Sequence, residues 1–173
     1  IEISYKDSWS KNESLAYWIN AYNAFTIKLI IDNYPVKSIK DIKNPWDQKF
    51  IPINGDMISL NYIEHEILRN MNEPRIHFAI VCASESCPKL LNEAYEVGKL
   101  EEQLTEATKD FLNDPYKNKI TANQLELSKI FKWFGKDFKQ NGSLIDFLNQ
   151  YSIVNISEDA KIKYLDYSWV LND

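Results

Sequence analysis

From Leu15 to Ile31 the chain carries apolar side chains on nearly every face of a helical wheel. A helix of that kind must lie against other protein around most of its circumference. Ser10 and Glu13 stand at the spacing of a capping box, in which the hydroxyl accepts from open backbone N–H groups and the carboxylate reaches back. Together they predict a helix over Lys11 to Asn33, stopped before Pro35, with Tyr17, Lys28 and Asp32 marking a narrow wet strip. Asn20 and Asn23 then fall on the buried side. Because Asn20, Asn23 and Lys28 interrupt the segment, it falls short of the ~18 consecutive apolar residues of a membrane span, and no membrane insertion is expected.

The remainder of the chain mixes both kinds of element. Asn54-Gly55 accepts the positive φ of a tight hairpin turn, so KFIPI and MISL pair around it, with Pro52 on an edge strand. Ser59 caps a short helix to about Asn70, whose apolar stripe is Leu60, Ile63, Ile67, Leu68 and Met71; Glu64 falls inside the stripe and His65 at its margin. RIHFAIVCA, rich in branched and aromatic residues, predicts a central buried strand from Arg75 to about Cys82, opening into the polar loop SESCP. Further helices are expected over LEEQLTEATKDFLND, IFKWFGKDFKQ and LIDFLNQYS, the last capped by Ser143. KITANQLELS reads as a second hairpin and KIKYLDYSWVL as holding a final strand.

Hairpins without regular strand–helix alternation indicate an α+β fold: a mostly antiparallel sheet, a buried N-terminal helix and several packing helices. A length of 173 residues suits a single domain over 1–173, and the aromatic content of 13% supplies a substantial core. The opening IEISYKDSW reads like the inside of a domain, so an N-terminus trimmed of an upstream segment is expected. The protein is expected to be soluble, and exported if a signal was removed; compartment and oligomeric state stay open. A formal charge of −5 and a pI near 5.1 disfavour a binder of phosphate backbones, so nucleic acid is excluded as a partner.

All the histidines and cysteines, His65, His77, Cys82 and Cys87, lie in one short window. A cysteine nucleophile needs thiolate character, from a nearby histidine or a helix N-terminus, and a third group to orient that histidine; Glu64 is at hand. On a regular strand His77 and Cys82 point to opposite faces, so a direct contact requires the strand to end before Cys82, or Cys87 to fold back, or His65 to serve instead. Each residue also has a plain structural use. Cys82 suits a core position, while Cys87, before Pro88, is the more accessible thiol. His77 suits a hydrogen-bonded core position, and Glu64 a pair with Arg69 or Arg75. Asn20 and Asn23 suit helix packing. The spacing of eleven, four and four residues between these groups lacks the close pairs of structural zinc sites, and CASESC has four residues where thioredoxin-like motifs have two. No metal or other cofactor is expected.

The segments YWINAYNAF (17–25), YPVKSIKDI (34–42), SLNYIEHEILR (59–69), RIHFAIVCASESCP (75–88), FLNDP (111–115), IFKWFGKDF (130–138) and YLDYSWVLN (164–172) resemble, in order, the family called domain of unknown function 547. The resemblance implies a domain of bacteria and plants with no established reaction. It implies family-typical positions at Trp18, Asn20, Asn23, Glu64, His65, His77, Cys82, Cys87 and Pro88. Two positions depart from the pattern: Lys89 stands where a second proline is usual, and Ser168 where the closing motif has an aspartate. If that aspartate orients a histidine, Asp166 on the same strand face is its substitute. At fold level the arrangement is distantly similar to papain-like and transglutaminase-like enzymes, although the helix here offers Asn20 and no cysteine.

Two uses of the cluster follow. One is a cysteine-dependent hydrolase or acyltransferase, with Cys82 or Cys87 as nucleophile, His77 or His65 as base, Glu64 orienting it, and Asn20, Asn23 and Trp18 near the substrate. The other is a noncatalytic module binding a small-molecule or peptide ligand, in which the cluster is a structural polar core. A metal or redox-disulfide site is the outside alternative.

Overall fold

The computed structural model describes residues 4–172; the opening residues Ile1 to Ile3, part of the expected trimmed start, lie outside the described residues. Helix α1 spans Lys11–Asn33, and both arms of the capping box form, with Ser10 Oγ accepting from the Glu13 N–H and Glu13 accepting from the Ser10 N–H. Twelve of its 23 residues are buried. The exposed strip is wider than the helical wheel predicts: Ile27 and Ile31 face solvent, while Tyr17 is half-buried. No helix among the described residues is long and apolar enough to cross a membrane.

Strands β1 (Ile51–Ile53) and β2 (Asp56–Ile58) form the expected hairpin, with Asn54 and Gly55 both at positive φ (50° and 87°). The Ser59 hydroxyl accepts from the Tyr62 N–H and starts the next helical segment. That segment is a π-helix over Tyr62–Leu68, tightening to a 3-10 turn at Arg69–Met71. Such π-turns in a short helix often accompany functional sites.

The expected strand from Arg75 to Cys82 is absent. Pro74–Phe78 is a 3-10 helix with Pro74 in its first turn and Glu73 as its cap, and residues 79–82 continue without ladder pairing. The branched and aromatic residues are buried as the pattern indicates, but between two cores. Ile76 and Ala79 join the core built on α1, and Phe78 joins a second core with Phe111, Phe131, Phe138 and Phe147. A β-prone composition records burial more than backbone form, and here the segment turns so that Phe78 reaches the second core while Ile76, Ala79 and Ile80 stay in the first.

Helix α2 (Leu100–Asn113) packs on this 3-10 segment, and buried Arg75 joins the two by pairing with Glu73 and Glu101. Strands β3 (Lys119–Ile120) and β4 (Gln124–Leu127) are antiparallel as expected, whereas β5 (Lys161–Tyr164) joins β4 in parallel. The helix expected over IFKWFGKDFKQ is broken into α3 (Ile130–Trp133) and a 3-10 turn at Asp137–Lys139. Helix α4 (Leu144–Asn149) carries a complete Ser143/Asp146 capping box. The architecture is therefore helices with two small sheets, α+β in class.

With so little sheet, irregular backbone is held by asparagine side chains, which copy a peptide group by donating and accepting at once. Asn20 pairs with both backbone groups of Tyr95. Asn23, 6% exposed, donates to the Ala79 carbonyl and accepts from the Val81 N–H, each at 2.9 Å. Asn118 joins Phe111 to Ser128, and Asn149 closes on Ile156. Asn23→Ala leaves a buried donor and a buried acceptor unpaired, and is expected to lower the unfolding free energy by about 2–4 kcal/mol. Urea denaturation measures it; a change within ~0.5 kcal/mol would mean that water replaces the amide.

Candidate functional site

A cavity of about 280 Å³ opens between the π-helical segment, the 3-10 segment and the loop after it, and α3 with the C-terminal tail. Glu64, His65, His77, Cys82 and Cys87 all line it. The structure thus brings together the five reactive residues of the sequence window. Trp18, Asn20 and Asn23 are not among its lining residues. Asn20 and Asn23 are committed to backbone, and Trp18 packs in an aromatic cluster with Tyr5 and Tyr17 beside a separate cavity.

One wall carries an ionic network. Asp137 accepts from Arg69 through both oxygens, at 2.7 and 2.9 Å, and from His77 Nε2 at 2.8 Å. Burial alone would raise the Asp137 carboxyl, but the hydrogen bonds from His77 and Arg69 outweigh it and hold the group well below the usual carboxylate range. Burial lowers His77 by more than Asp137 raises it. The two shifts describe one state, an ionised carboxylate beside a neutral imidazole. Since the carboxylate only accepts, His77 Nε2 carries the proton, and Nδ1 keeps a bare lone pair. That Nδ1 is buried and has no hydrogen-bond partner. Phe134 stacks on the ring at 3.9 Å and fixes its plane.

His65 is set by the same cation. Arg69 Nη1 lies 3.0 Å from His65 Nδ1, and an arginine can only donate, so the neutral ring carries its proton on Nε2. Glu64 is paired neither with Arg69 nor with Arg75. It accepts from the Tyr22 hydroxyl at 3.0 Å, and burial followed by the charge of Glu64 pushes Tyr22 well up. Glu64 therefore does not orient a histidine; Asp137 does. Asp166, the substitute suggested by the closing motif, is exposed and pairs with Lys129, and Ser168 bonds to Ser86 and Glu85. Asp137 escaped the sequence reading because it lies far along the chain. Its only signal was one acid among Phe131, Phe134 and Phe138, a setting that leaves a carboxylate in need of a partner.

The opposite wall carries the thiols, both free. Their exposure reverses the sequence expectation: Cys87 is 3% exposed, whereas Cys82 is half-buried and faces the cavity. Cys87 Sγ accepts from the Cys82 N–H at 2.8 Å, which sets the two cysteines side by side. Tyr167 OH lies 3.2 Å from Cys82 Sγ and accepts from Ser84 Oγ, so its proton points to that sulfur. The Cys87 bond first, against the opposing effect of burial, and then the Ser84 and Tyr167 hydroxyls bring the Cys82 thiol down to about 6. Burial, and then the bond to Cys82, push Cys87 well above the ordinary thiol range. Burial and the neighbouring sulfurs also raise Tyr167, which keeps it a donor. Among the described residues no hydrogen bond joins Cys82 to either imidazole, and no group of three or more His, Cys, Asp or Glu side chains is placed to hold a metal ion.

The family model described as "Protein of unknown function, DUF547" matches residues 6–112. The chain belongs to that family. No curated protein and no solved structure matches it. The DUF547 match takes in both thiols, both imidazoles and Arg69, whereas Asp137 and Tyr167, one partner for each wall, lie beyond it.

The protonation states fix a pH response. Asp137, depressed on folding, contributes stability that is complete above the unfolded carboxyl value of ~3.9 and is lost as pH falls through its folded value. His77, also depressed, contributes above ~6.5 and loses that contribution on acidification below it. Thermal unfolding measured from pH 7 to pH 3 should show both declines, and Asp137→Asn should shrink the lower one. At pH 7 this variant should cost about 2–3 kcal/mol, less than a fully buried pair because Arg69 keeps some exposure.

Proposed function

We propose that this DUF547 chain is a thiol-dependent acyl-transfer enzyme, a hydrolase or acyltransferase, with Cys82 as nucleophile and His77 as the proton-transfer group oriented by Asp137. The observation that carries the reading is a half-buried thiol, hydrogen-bonded by Tyr167 and lowered from its ordinary value, in a cavity whose lining also holds an imidazole with an unpartnered nitrogen. A thiol lowered in this way carries thiolate character near neutral pH and needs no base to attack. Its sulfur bonds to the acyl carbon and expels the leaving group, giving a thioester. His77 Nδ1 then takes a proton from the water or alcohol that attacks this thioester, and returns it to the Cys82 sulfur as the bond breaks. The lack of a hydrogen bond between Cys82 and either imidazole suits this division of labour, because substrate or water can stand between them. His65 Nε2–H is a candidate donor to the acyl oxygen, and Glu64 holds Tyr22 in the cavity floor.

The papain-like comparison enters only as chemistry. Helix α1 has no cysteine, and both thiols stand on the loop after the 3-10 segment. A second reading, a noncatalytic module for a small-molecule or peptide ligand, is favoured by one observation: Cys82 has no hydrogen bond to an imidazole. The cavity's aromatic lining, which includes Trp46, Trp133 and Trp169, serves either use.

Iodoacetamide labelling against pH, read by peptide mass, tests the reading. Cys82 should label with a midpoint near pH 6 and Cys87 slowly throughout. With activated esters or thioesters, Cys82→Ala should abolish turnover, while His77→Ala should still acylate but deacylate on the order of 10²-fold more slowly. An ordinary midpoint near ~8.5 for Cys82 would overturn the thiolate. Fast labelling without turnover of any acyl substrate would favour the binding module.

A further inference from the structure

Beyond acyl transfer, we infer that Cys82 and Cys87 form a peroxide-oxidisable pair, in which Cys82 reacts first and Cys87 resolves it into an internal disulfide. The fold of the loop between the two cysteines carries it. The Cys82 N–H donates to Cys87 Sγ at 2.8 Å, which brings the side chain of one cysteine onto the backbone of the other. The loop that joins them is already folded into the turn that a short disulfide ring requires. Ala83 stands at φ 55°, in the left-handed region that a side chain disfavours, and the Cys87 N–H bonds to the Ser84 carbonyl at 3.0 Å.

The C-terminal tail holds that turn from outside. Glu85 donates to the Val170 carbonyl, Asn172 donates to the Ala83 carbonyl, and Ser84 bridges to Leu171. Ser168 adds side-chain and backbone bonds to Glu85 and Ser86. A loop constrained on both edges has little conformational freedom left to lose when the sulfurs join.

The two sulfurs are unequal in the way such a sequence of steps demands. Cys82 faces the cavity, where a small oxidant arrives, and the Tyr167 hydroxyl 3.2 Å from its sulfur, itself accepting from Ser84, is placed to stabilise the thiolate or supply a proton. Cys87, at the cavity margin but only 3% exposed, is raised by burial and keeps its proton. Burial shields it from direct oxidation while leaving it in reach of Cys82.

The chemistry balances with a hydroperoxide as the named oxidant. The Cys82 thiolate attacks one peroxide oxygen, the O–O bond breaks, and the departing alkoxide or hydroxide takes a proton from the cavity. This leaves a sulfenic acid on Cys82. The Cys87 sulfur then attacks the Cys82 sulfur, the S–O bond breaks, and the leaving hydroxide takes the Cys87 proton as water. In sum, two thiols and one hydroperoxide give one disulfide, one alcohol or water, and one water. The dithiol loses two electrons and the peroxide gains them. An external dithiol reductant reverses the closure. Because the disulfide consumes the cavity's thiolate, oxidation removes whatever chemistry that thiolate performs.

The test uses the reduced chain and hydrogen peroxide at pH 7, with acid quenching, alkylation and mass analysis. The expected product is two hydrogens lighter, resists alkylation at both sites, yields a Cys82–Cys87 cross-linked peptide, and reverts with dithiothreitol. Thiol loss should be on the order of tenfold faster in the parent than in Cys82→Ser, where only the buried thiol remains. In Cys87→Ser the sulfenic acid should accumulate, one oxygen heavier and trapped by dimedone.

The parent protein decides the matter even if a variant fails to fold. Oxidation of Cys82 to sulfinic acid with Cys87 still alkylatable, a disulfide between chains, or no reaction at millimolar peroxide would each overturn the inference. None of these results touches acyl transfer, which stands or falls on iodoacetamide labelling and turnover under reducing conditions.

Discussion

The two bonds from the Asn23 side chain to the backbone at Ala79 and Val81 hold the rest of the molecule in place. Between Phe78 and Pro88 the chain passes through the interior with almost no ladder or helix to satisfy its peptide groups. Backbone polar groups buried in that way must find partners. An asparagine on a rigid helix supplies both halves of a peptide's hydrogen bonding from one side chain, and Asn20 does the same one turn earlier for Tyr95. Helix α1 therefore acts as a rail to which irregular segments are fastened.

Fastening residues 79–81 decides where the reactive groups point. Immediately before the clamp, the 3-10 turn sends His77 toward Asp137 and Phe78 into the second core. Immediately after it, Cys82 emerges at the cavity, and the loop turns back under the control of the C-terminal tail. Both walls of the site thus hang from one short stretch of backbone. Arg69 couples the imidazoles, since one guanidinium serves both His65 and the carboxylate that holds His77. A mutation at Asp137 would disturb both rings, so its effects cannot be assigned to one of them without measuring each.

Legibility in the sequence followed range. Capping boxes at Ser10 and Ser143, the Asn54-Gly55 hairpin and the course of α2 were readable because their determinants lie within a few residues of one another. The segment from Arg75 to Cys82 misled because branched and aromatic residues announce an interior and do not say which backbone form will occupy it. The thiols misled in a different way. Polarity around Cys87 implied exposure, yet the tail that covers it arrives from residues 168–172. Clustering of histidines and cysteines in one window did point to one cavity, although the acid that holds His77 is Asp137, sixty residues away, and not Glu64 of the same window.

By itself the sequence determined the capped helices and the Asn54-Gly55 hairpin, the α+β class, the family and the short window that holds the reactive side chains. Each of these depends on spacing or composition over neighbouring residues. Tertiary structure alone decided which thiol is low and open, which acid holds His77, and where the lone pair on Nδ1 is left. Those outcomes arise from contacts between segments such as Cys82 with Tyr167 and His77 with Asp137. Burial and hydrogen bonding across such distances set protonation, and no local pattern encodes them.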